Sequence, residues 1–402
     1  MHGSRFDVPR RLLVGASFAL AVVACFRAPL RGTDFIADRD PYLHEGYIQP
    51  EKLKEEPVYR LLLAGDAGSV VRKDPTMALI GEWGDVQPER TTAIFLGDNI
   101  YPAGLQSSDR ARGEAILQRQ IESTRGGKLF IPGNHDWGFT GVQRLQPGVL
   151  GNQQTFFESQ ARPGVDFRPK DGCPGPVPVE LIEPGGPLPG GLTVLVLDLH
   201  WWLLAEWERP VCDGIADTVA FLERLRAELR ERRSENVVVV AHHPIFSGGP
   251  HGGFTRGFWF DLGVSIFYQL YTVGDLIEPT YHEMVGVLSA ALAENPPLAM
   301  VGAHDHSLQI LDGGDEARIV VVSGAASEVT RVTSIERTLF AHAHLGFIVF
   351  DFYQAKGKRD GVLLVHVVET GRGVDPVFTL GLDLGREEAP PQEIPAKEVP
   401  TP

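Results

Sequence analysis

Short apolar runs rich in β-branched residues recur along the central part of the chain, and a glycine or a polar segment follows each of them. Runs of this length, bounded in this way, are typical of buried β-strands. Helical patterns lie between several of the runs, which favours an α/β fold. The seven runs are residues 58–64, 92–96, 128–132, 192–198, 236–240, 298–301 and 317–322.

The clearest helical pattern extends from residue 215 to residue 233, with arginine and glutamate on its polar face. The apolar residues that recur at steps of three and four are Ile215, Val219, Leu222, Leu225 and Leu229. This pattern predicts a helix that covers one face of a sheet. Weaker patterns predict helices over residues 110–123 and 281–294, and two late apolar runs, 347–352 and 362–368, predict a hairpin.

Composition restricts the class of partner. The chain contains 45 glycines and 30 prolines, more than average usage, so many residues must lie in turns and long connections. Segments 164–191 and 247–281 resemble long insertions, which often form binding loops. The formal net charge of −15 disfavours a nucleic-acid polymer as partner, because phosphate backbones select clustered lysine and arginine. A phosphate-bearing substrate would need metal ions or local donors to attract it.

The N-terminus has the pattern of an export signal, predicted over residues 1–24. Residues 12–24 form an apolar run that is too short to span a bilayer comfortably, and the arginines that precede it are Arg5, Arg10 and Arg11. The run ends in Val22-Val23-Ala24-Cys25, which resembles the lipobox of bacterial lipoproteins, in which the cysteine is lipidated. This predicts an exported protein of the cell envelope, on its periplasmic or surface side, anchored to the membrane through Cys25. An ordinary signal peptide, which would give a secreted protein, and an uncleaved anchor stay open.

The remainder of the chain divides by composition. Residues 25–57 lack a sustained apolar period and are predicted to form a tether, and residues 58–381 form the predicted domain. Residues 382–402 are rich in glutamate and proline and are predicted to be disordered. In an oxidising compartment Cys173 and Cys212 could form one disulfide, since an even count permits it.

Candidate metal ligands follow five of the predicted strands directly. The segments are Gly65-Asp66-Ala67-Gly68, Gly97-Asp98-Asn99-Ile100-Tyr101, Gly133-Asn134-His135-Asp136, Ala241-His242-His243-Pro244 and Gly302-Ala303-His304-Asp305-His306. Loops at the carboxyl ends of strands in an open α/β sheet gather around one crevice, so we expect these segments to converge. Carboxylate, imidazole and amide groups together suit two hard-to-borderline metal ions.

These five blocks resemble, in their order, the motif series of the calcineurin-like metallophosphoesterase superfamily: Gly-Asp, Gly-Asp, Gly-Asn-His, a later His and a terminal His-x-His. The tyrosine three residues after Asp98 is similar to the pattern of the purple, or tartrate-resistant, acid phosphatases. The resemblance covers about residues 58–368. It implies an α/β fold in which a two-sheet sandwich is flanked by helices and the metal site lies at one edge.

The resemblance also implies a ligand set, carried over position by position. It assigns the first metal to Asp66, Tyr101 and His306, assigns the second to Asn134, His242 and His304, and makes Asp98 the bridge. The implied cofactors are ferric iron at the first site, bound by a tyrosinate, and iron, zinc or manganese at the second.

The implied function is hydrolysis of a small phosphate ester by an acid phosphatase-like monoesterase, in which a metal-bound hydroxide attacks phosphorus. His135 would lie by the substrate phosphate, oriented by Asp136. His251, nine residues after His242, would be a second substrate-side histidine, and either histidine could protonate the leaving group. A phosphodiesterase or nucleotidase of the same superfamily stays open. From a different class, a non-catalytic lipoprotein that keeps the fold for binding also stays open.

Three further features of the sequence are expected to have a structural role or a small effect rather than a catalytic role. Ala303 stands where the similar family has glycine, and if the backbone there needs a positive φ, alanine would cost of order 1 kcal/mol and could shift His304. His342 and His344 form a second His-x-His pair, but they fall outside the ordered blocks and are expected to be structural. The tryptophans after residue 198 are expected to pack under a loop rather than to stack a nucleoside, and these are Trp201, Trp202 and Trp207.

Overall fold

Two mixed β-sheets lie at the centre of the protein, and helices pack on their outer faces. The computed structural model describes residues 47–48, 56–69, 74–138, 148–160, 162–252, 279–354 and 361–385. All of these residues belong to one compact unit, Phe35–Pro402. The α/β sandwich predicted from the sequence is confirmed.

The first sheet has eight strands, numbered here along the chain. They are β1 (Tyr47–Ile48), β2 (Tyr59–Ala64), β3 (Thr91–Phe95), β4 (Gly127–Phe130), β5 (Val165–Phe167), β13 (Gly346–Gln354), β14 (Gly361–Glu369) and β15 (Phe378–Asp383). Their order across the sheet is β1-β15-β14-β13-β2-β3-β4-β5. Strands β2 to β5 are parallel, whereas β13 and β14 form the antiparallel hairpin that the two late apolar runs predict.

The second sheet has seven strands. They are β6 (Val177–Ile182), β7 (Leu192–Val196), β8 (Val237–Val240), β9 (Ala299–Gly302), β10 (Leu308–Asp312), β11 (Ile319–Ser323) and β12 (Thr338–His342). Their order is β12-β10-β11-β9-β8-β7-β6. Strands β7, β8, β9 and β11 are parallel, so their carboxyl ends lie at the same edge.

The helices follow local signals in the sequence. They are α1 (Pro75–Gly84), α2 (Arg110–Ile121), α3 (Val149–Ser159), α4 (His200–Leu203), α5 (Thr218–Glu231) and α6 (Pro279–Glu294). Asp74 caps α1, where its carboxylate accepts hydrogen bonds from the backbone N–H groups of Thr76 and Met77. Asp217 caps α5 in the same way through the N–H of Ala220. Such caps satisfy backbone donors that have no partner within the helix.

The two-residue period of the strands divides their side chains between three apolar layers. On β2, Leu61 and Leu63 point between the sheets and pack against residues of the second sheet such as Val194. Leu62 and Ala64 point outwards and pack beneath helices α1 and α2. Because both faces of each parallel strand are buried, these strands are apolar throughout.

The apolar face of α5 differs from the predicted one. Val219 is 61% exposed, whereas Phe221 is buried. The helix begins only at Thr218, after its cap at Asp217, so Ile215 lies outside it and the predicted period started in a non-helical segment. The buried face is therefore formed by Phe221, Leu222, Leu225 and Leu229.

The sequence predicted that segment 164–191 is a long insertion, and this prediction is wrong. The segment supplies β5 and β6, which lie at the edges of the two sheets. The runs that form them are short or partly polar, so their period is weak. Segment 247–281 is described at residues 247–252 and 279–281, and the rest of it lies outside the described residues.

Cys173 and Cys212 form a disulfide bond, which fits an exported protein in an oxidising compartment. Within the described residues, no helix has the length and apolar character needed to cross a membrane. The predicted signal over residues 1–24, with Cys25, lies outside the described residues. Two residues of the predicted tether, Tyr47 and Ile48, pair with β15. That strand extends to Asp383, past the predicted domain end.

Candidate metal centre

The candidate metal centre lies where the carboxyl ends of strands from both sheets meet. The loops after β2, β3 and β4 of the first sheet face the loops after β8 and β9 of the second. A hydrogen-bonding contact of 2.8 Å between Nδ1 of His242 and the carbonyl oxygen of Leu96 joins the two sets of loops. The structure brings all seven predicted ligands to this place: Asp66, Asp98, Tyr101, Asn134, His242, His304 and His306.

The first group consists of Asp66, Tyr101 and His306. The Tyr101 hydroxyl donates a hydrogen bond of 2.7 Å to Oδ1 of Asp66. Nε2 of His306 lies 3.2 Å from that hydroxyl and 3.3 Å from Oδ1 of Asp66. Three potential ligand atoms of different residues therefore face one another within a few ångströms.

The second group is formed around His242. Its Nε2 lies 3.1 Å from Oδ1 of Asn134 and 3.2 Å from Nδ1 of His304. Oδ2 of Asp98 lies 3.5 Å from the same nitrogen. Asp98, His242 and His304 are all buried, and their ligand atoms lie within 4.8 Å of one another, a spacing that could hold a metal ion.

Backbone contacts join the two groups. Oδ2 of Asp66 accepts a hydrogen bond of 2.9 Å from the backbone N–H of His304. Asp98 lies against the second group, and its charge also contributes to raising the pKa of Tyr101 in the first. The carboxylates of Asp66 and Asp98 thus act on both groups.

Three of the centre's residues have left-handed backbone conformations: Asp66 (φ 58°), Asp98 (φ 52°) and His304 (φ 65°). Such conformations cost roughly 1–3 kcal/mol each outside glycine and concentrate at functional sites. The backbone strain that the sequence suggested at Ala303 does not occur, because the residue with the positive φ is His304. Ala303 packs closely against Gly65, where a Cβ would lie 2.2 Å from that of Ala303.

The donor set fits a cation. The Leu96 carbonyl can only accept, so Nδ1 of His242 carries a hydrogen, and Nε2 is the nitrogen that faces the oxygens of Asn134 and Asp98. Burial opposes a charge on His242, but the nearby carboxylate of Asp98 outweighs it and raises the pKa to about 10. Without a metal, Nε2 therefore carries a proton between these oxygens, and a metal ion bound there would take the place of that proton.

The environment of Tyr101 shows that the first group also fits a cation. Burial and the negative charges of Asp66 and Asp98 raise the pKa of its phenol well above the usual value. Without a cation the phenol therefore keeps its proton and donates it to Asp66. A tyrosinate at this position would need a strongly Lewis-acidic partner.

His135 lies at the exposed side of the centre. Its Nδ1 donates to the carbonyl oxygen of Pro102, and its Nε2 lies 3.8 Å from Oδ2 of Asp98. Its ring packs edge-on against Tyr101 at 4.6 Å between ring centroids. The side chain is 24% exposed, so it is open to solvent.

The prediction that Asp136 orients His135 is wrong. The buried Asp136 carboxylate accepts hydrogen bonds from the backbone N–H groups of Asn99 and Gly133, at 3.0 and 2.8 Å, and from the side chain of Asn99. It therefore ties the Asp98 loop to the Asn134 loop, while Pro102 holds the His135 ring. Burial, with the charge of Asp98, raises the pKa of Asp136 to about 7.

His251 lies beside the second group, in the short helical turn Pro250–Gly252. Its ring centroid is 4.2 Å from that of His304. The sequence placed it near the substrate by motif spacing, and the structure brings it to the centre.

Two residues near the centre escaped the sequence argument. Oε2 of Glu328 lies 3.6 Å from Nδ1 of His306, on the ring edge opposite Asp66, and Ser69 donates a 2.5 Å hydrogen bond to the same carboxylate. Nothing in the sequence marks Glu328, which follows His306 only after the strands β10 and β11. Asn99 does have a sequence signal, because it lies within the Asp98 block. In the structure its side chain donates hydrogen bonds to the carbonyl oxygen of Ile131 and to the carboxylate of Asp136.

Three histidines outside the two groups have other surroundings. His342 donates to the buried carboxylate of Glu369, and Nδ1 of His344 lies 3.9 Å from the other oxygen of Glu369. His243 is buried behind the second group, with its ring centroid 4.7 Å from that of His304. Trp201 and Trp202 are buried, as expected, whereas Trp207 is 88% exposed.

The architecture is an α/β sandwich of the metallophosphoesterase type. No protein-family model matches the chain, and no curated protein sequence matches it. Among solved structures, GAP50, the anchor in the inner membrane complex of Plasmodium, superposes with a TM-score of 0.54 at 15% identity, covering 82% of this chain and 90% of GAP50. The purple acid phosphatase PPD1 from seeds of yellow lupin (Lupinus luteus) superposes with a TM-score of 0.52 at 14% identity. That match covers 82% of this chain and 54% of the lupin protein, so the chain spans about half its length. At this level of identity the likeness concerns the fold alone.

Proposed function

We propose that this protein is a dinuclear-metal hydrolase of phosphate esters, acting as a phosphomonoesterase. The observation that carries the proposal is the convergence of two groups of ligand atoms, with Asp98 against the second group and its charge acting on the first. In the proposed assignment the first metal binds to Asp66, Tyr101 and His306. The second binds to Asn134, His242 and His304, and Asp98 bridges the pair.

A pair of bound cations supplies Lewis acidity for phosphate oxygens and lowers the pKa of a bound water towards neutrality. Ferric iron suits the first group, since Tyr101 needs a strongly Lewis-acidic partner to lose its proton. Iron, zinc or manganese suits the second group of imidazole and oxygen ligands.

His135 is proposed to protonate the leaving group. Because Pro102 fixes the hydrogen on Nδ1, the proton that can be transferred is held at Nε2, the nitrogen that faces Asp98 and the centre. His251 is proposed to contact the substrate phosphate from the side of the second group. Asp136 takes no part in proton transfer, since its oxygens are engaged with Asn99 and Gly133.

The acidic chain directs the choice of substrate. Its net charge of −15 disfavours a polyanionic nucleic acid, whereas the metal pair would bind one phosphate group of a small ester locally. Export, with a lipid anchor on Cys25, is proposed as the cellular setting, and the Cys173–Cys212 disulfide supports export.

The test is a metal analysis coupled to a substrate comparison. The purified protein should contain close to two metal ions, and should hydrolyse 4-nitrophenyl phosphate in preference to bis(4-nitrophenyl) phosphate. Removal of the metals by chelation should abolish the activity, and their return should restore it. Preference for the diester would favour the phosphodiesterase alternative. A metal-free, inactive protein would favour a binding role and contradict the proposal.

A further inference from the structure

Asp305 lies between the histidines of the His304-Asp305-His306 segment and is fully buried, yet its carboxylate contacts neither proposed metal group. Both of its oxygens are used by residues 247–252, the segment that carries His251. Oδ2 accepts a hydrogen bond from the hydroxyl of Ser247. Oδ1 accepts one of 3.0 Å from the backbone N–H of His251 itself.

The same segment is held by a second set of buried contacts. The side-chain amide of Gln309 donates to the Ser247 hydroxyl at 2.8 Å, and its oxygen accepts from the N–H of Gly248 at 2.8 Å. Gly249 passes so close to Asp305 that a Cβ there would lie 2.3 Å from carboxylate atoms. Only glycine permits this approach, so the segment is shaped to wrap around the Asp305 carboxylate.

The consequence is the position of the His251 ring. The hydrogen bond from the backbone of His251 determines where its side chain begins, and the ring then packs against His304, the residue that precedes Asp305. One short turn thus presents His304 to the metal centre and holds His251 beside it. Burial of a carboxylate costs folding free energy unless the carboxylate is well hydrogen-bonded. The hydrogen bonds that the Asp305 carboxylate accepts come from the segment that carries His251.

We propose that Asp305 is a positioning residue that holds His251 at the substrate-phosphate side of the second metal group. This inference rests on the proposed function and deepens it, because it names a residue that determines the affinity of the site for phosphate. Asp305 acts through His251 and touches neither metal nor substrate.

The experiment is a double-mutant cycle of Asp305→Asn and His251→Ala in the metal-loaded protein. Asparagine keeps the shape of the side chain but can accept at only one oxygen, so one of the two bonds to the segment is lost. We measure the dissociation constant of inorganic phosphate by calorimetry, kcat and KM for 4-nitrophenyl phosphate, and metal content. Asp305→Asn should weaken phosphate binding and raise KM by about 10-fold, at the low end of effects seen when a supporting partner is removed.

The cycle separates positioning from a general structural effect. If Asp305 acts through His251, the double variant should bind phosphate as His251→Ala alone does, and metal content should stay at the wild-type level in every variant. Asp351→Asn is the matched control. It removes another buried carboxylate, which pairs with Arg60 near the opposite end of β2, and it should leave the phosphate constant unchanged.

Three outcomes overturn the inference. Additive effects in the cycle would show that Asp305 does not act through His251, and loss of metal from Asp305→Asn would show that it supports the ligands instead. A wild-type protein that neither hydrolyses the ester nor binds phosphate would overturn the proposed function together with this inference. If Asp305→Asn fails to fold, Ser247→Ala replaces it in the same cycle, because that change removes only the hydroxyl bond to Asp305.

Discussion

Substitution of His135 tests the proposed chemistry most directly. The ring is held by Pro102 through Nδ1, and its Nε2 faces the centre at 3.8 Å from Asp98. Because no metal group needs this nitrogen, His135→Ala should keep both metals and remove only the proton donor. General acid catalysis contributes about 10²–10⁴-fold to rate, which corresponds to roughly 3–5 kcal/mol of activation free energy.

The assay compares two esters that differ in their need for a proton donor. Phenyl phosphate releases a phenol with a pKa near 10, whereas 4-nitrophenyl phosphate releases a better leaving group. The kcat of His135→Ala should fall most with phenyl phosphate and much less with the nitrophenyl ester. His282→Ala, which removes an exposed histidine on α6, serves as the matched control and should be silent.

The result that would refute this reasoning is an equal loss with both esters, because a general acid must matter more for the poorer leaving group. Loss of a metal ion from His135→Ala would also refute it, by showing that His135 is a ligand. Both outcomes can be read from the same preparations, since metal content and kcat are measured together.

Four further predictions follow from other parts of the molecule. Asp98→Asn should weaken binding of both metals and abolish turnover while circular dichroism shows the fold intact, and retained stoichiometric metal with near-normal activity would contradict the bridge. Tyr101→Phe should bleach a tyrosinate-to-iron absorption band without unfolding the protein, whereas a colourless, iron-free and fully active wild type would exclude ferric iron. Replacing Cys173 and Cys212 by alanine should lower the free energy of unfolding by about 4 kcal/mol, given their separation of 39 residues, and a denaturant curve that overlays the wild type would argue against this. Cys25→Ser should move the protein from the membrane fraction to the soluble fraction, and unchanged fractionation would exclude a lipid anchor on Cys25.

Much of the fold can be predicted from the sequence, because parallel strands that are buried on both faces must be apolar throughout. Each of the seven predicted runs corresponds to a strand, and no end is displaced by more than two residues; the strands are β2, β3, β4, β7, β8, β9 and β11. Edge strands such as β6, whose residues alternate between half-buried and exposed, lack that signal. The buried face of α5 was mistaken at Val219 because a period counted from Ile215 ignores the cap at Asp217, where the helix begins.

The sequence by itself determined the kinds of candidate ligand and their order, since a glycine and a polar residue after each buried strand are local features. Only the tertiary structure decided how these ligands are grouped and supported. The Leu96 carbonyl that orients His242 comes from 146 residues earlier in the chain and from the opposite sheet. Asp136 was assigned to its neighbour His135, yet it binds Asn99, and Asp305 holds a segment more than fifty residues before it. A hydrogen bond between distant segments depends on how two sheets pack, and no local period or spacing in the sequence encodes that partner.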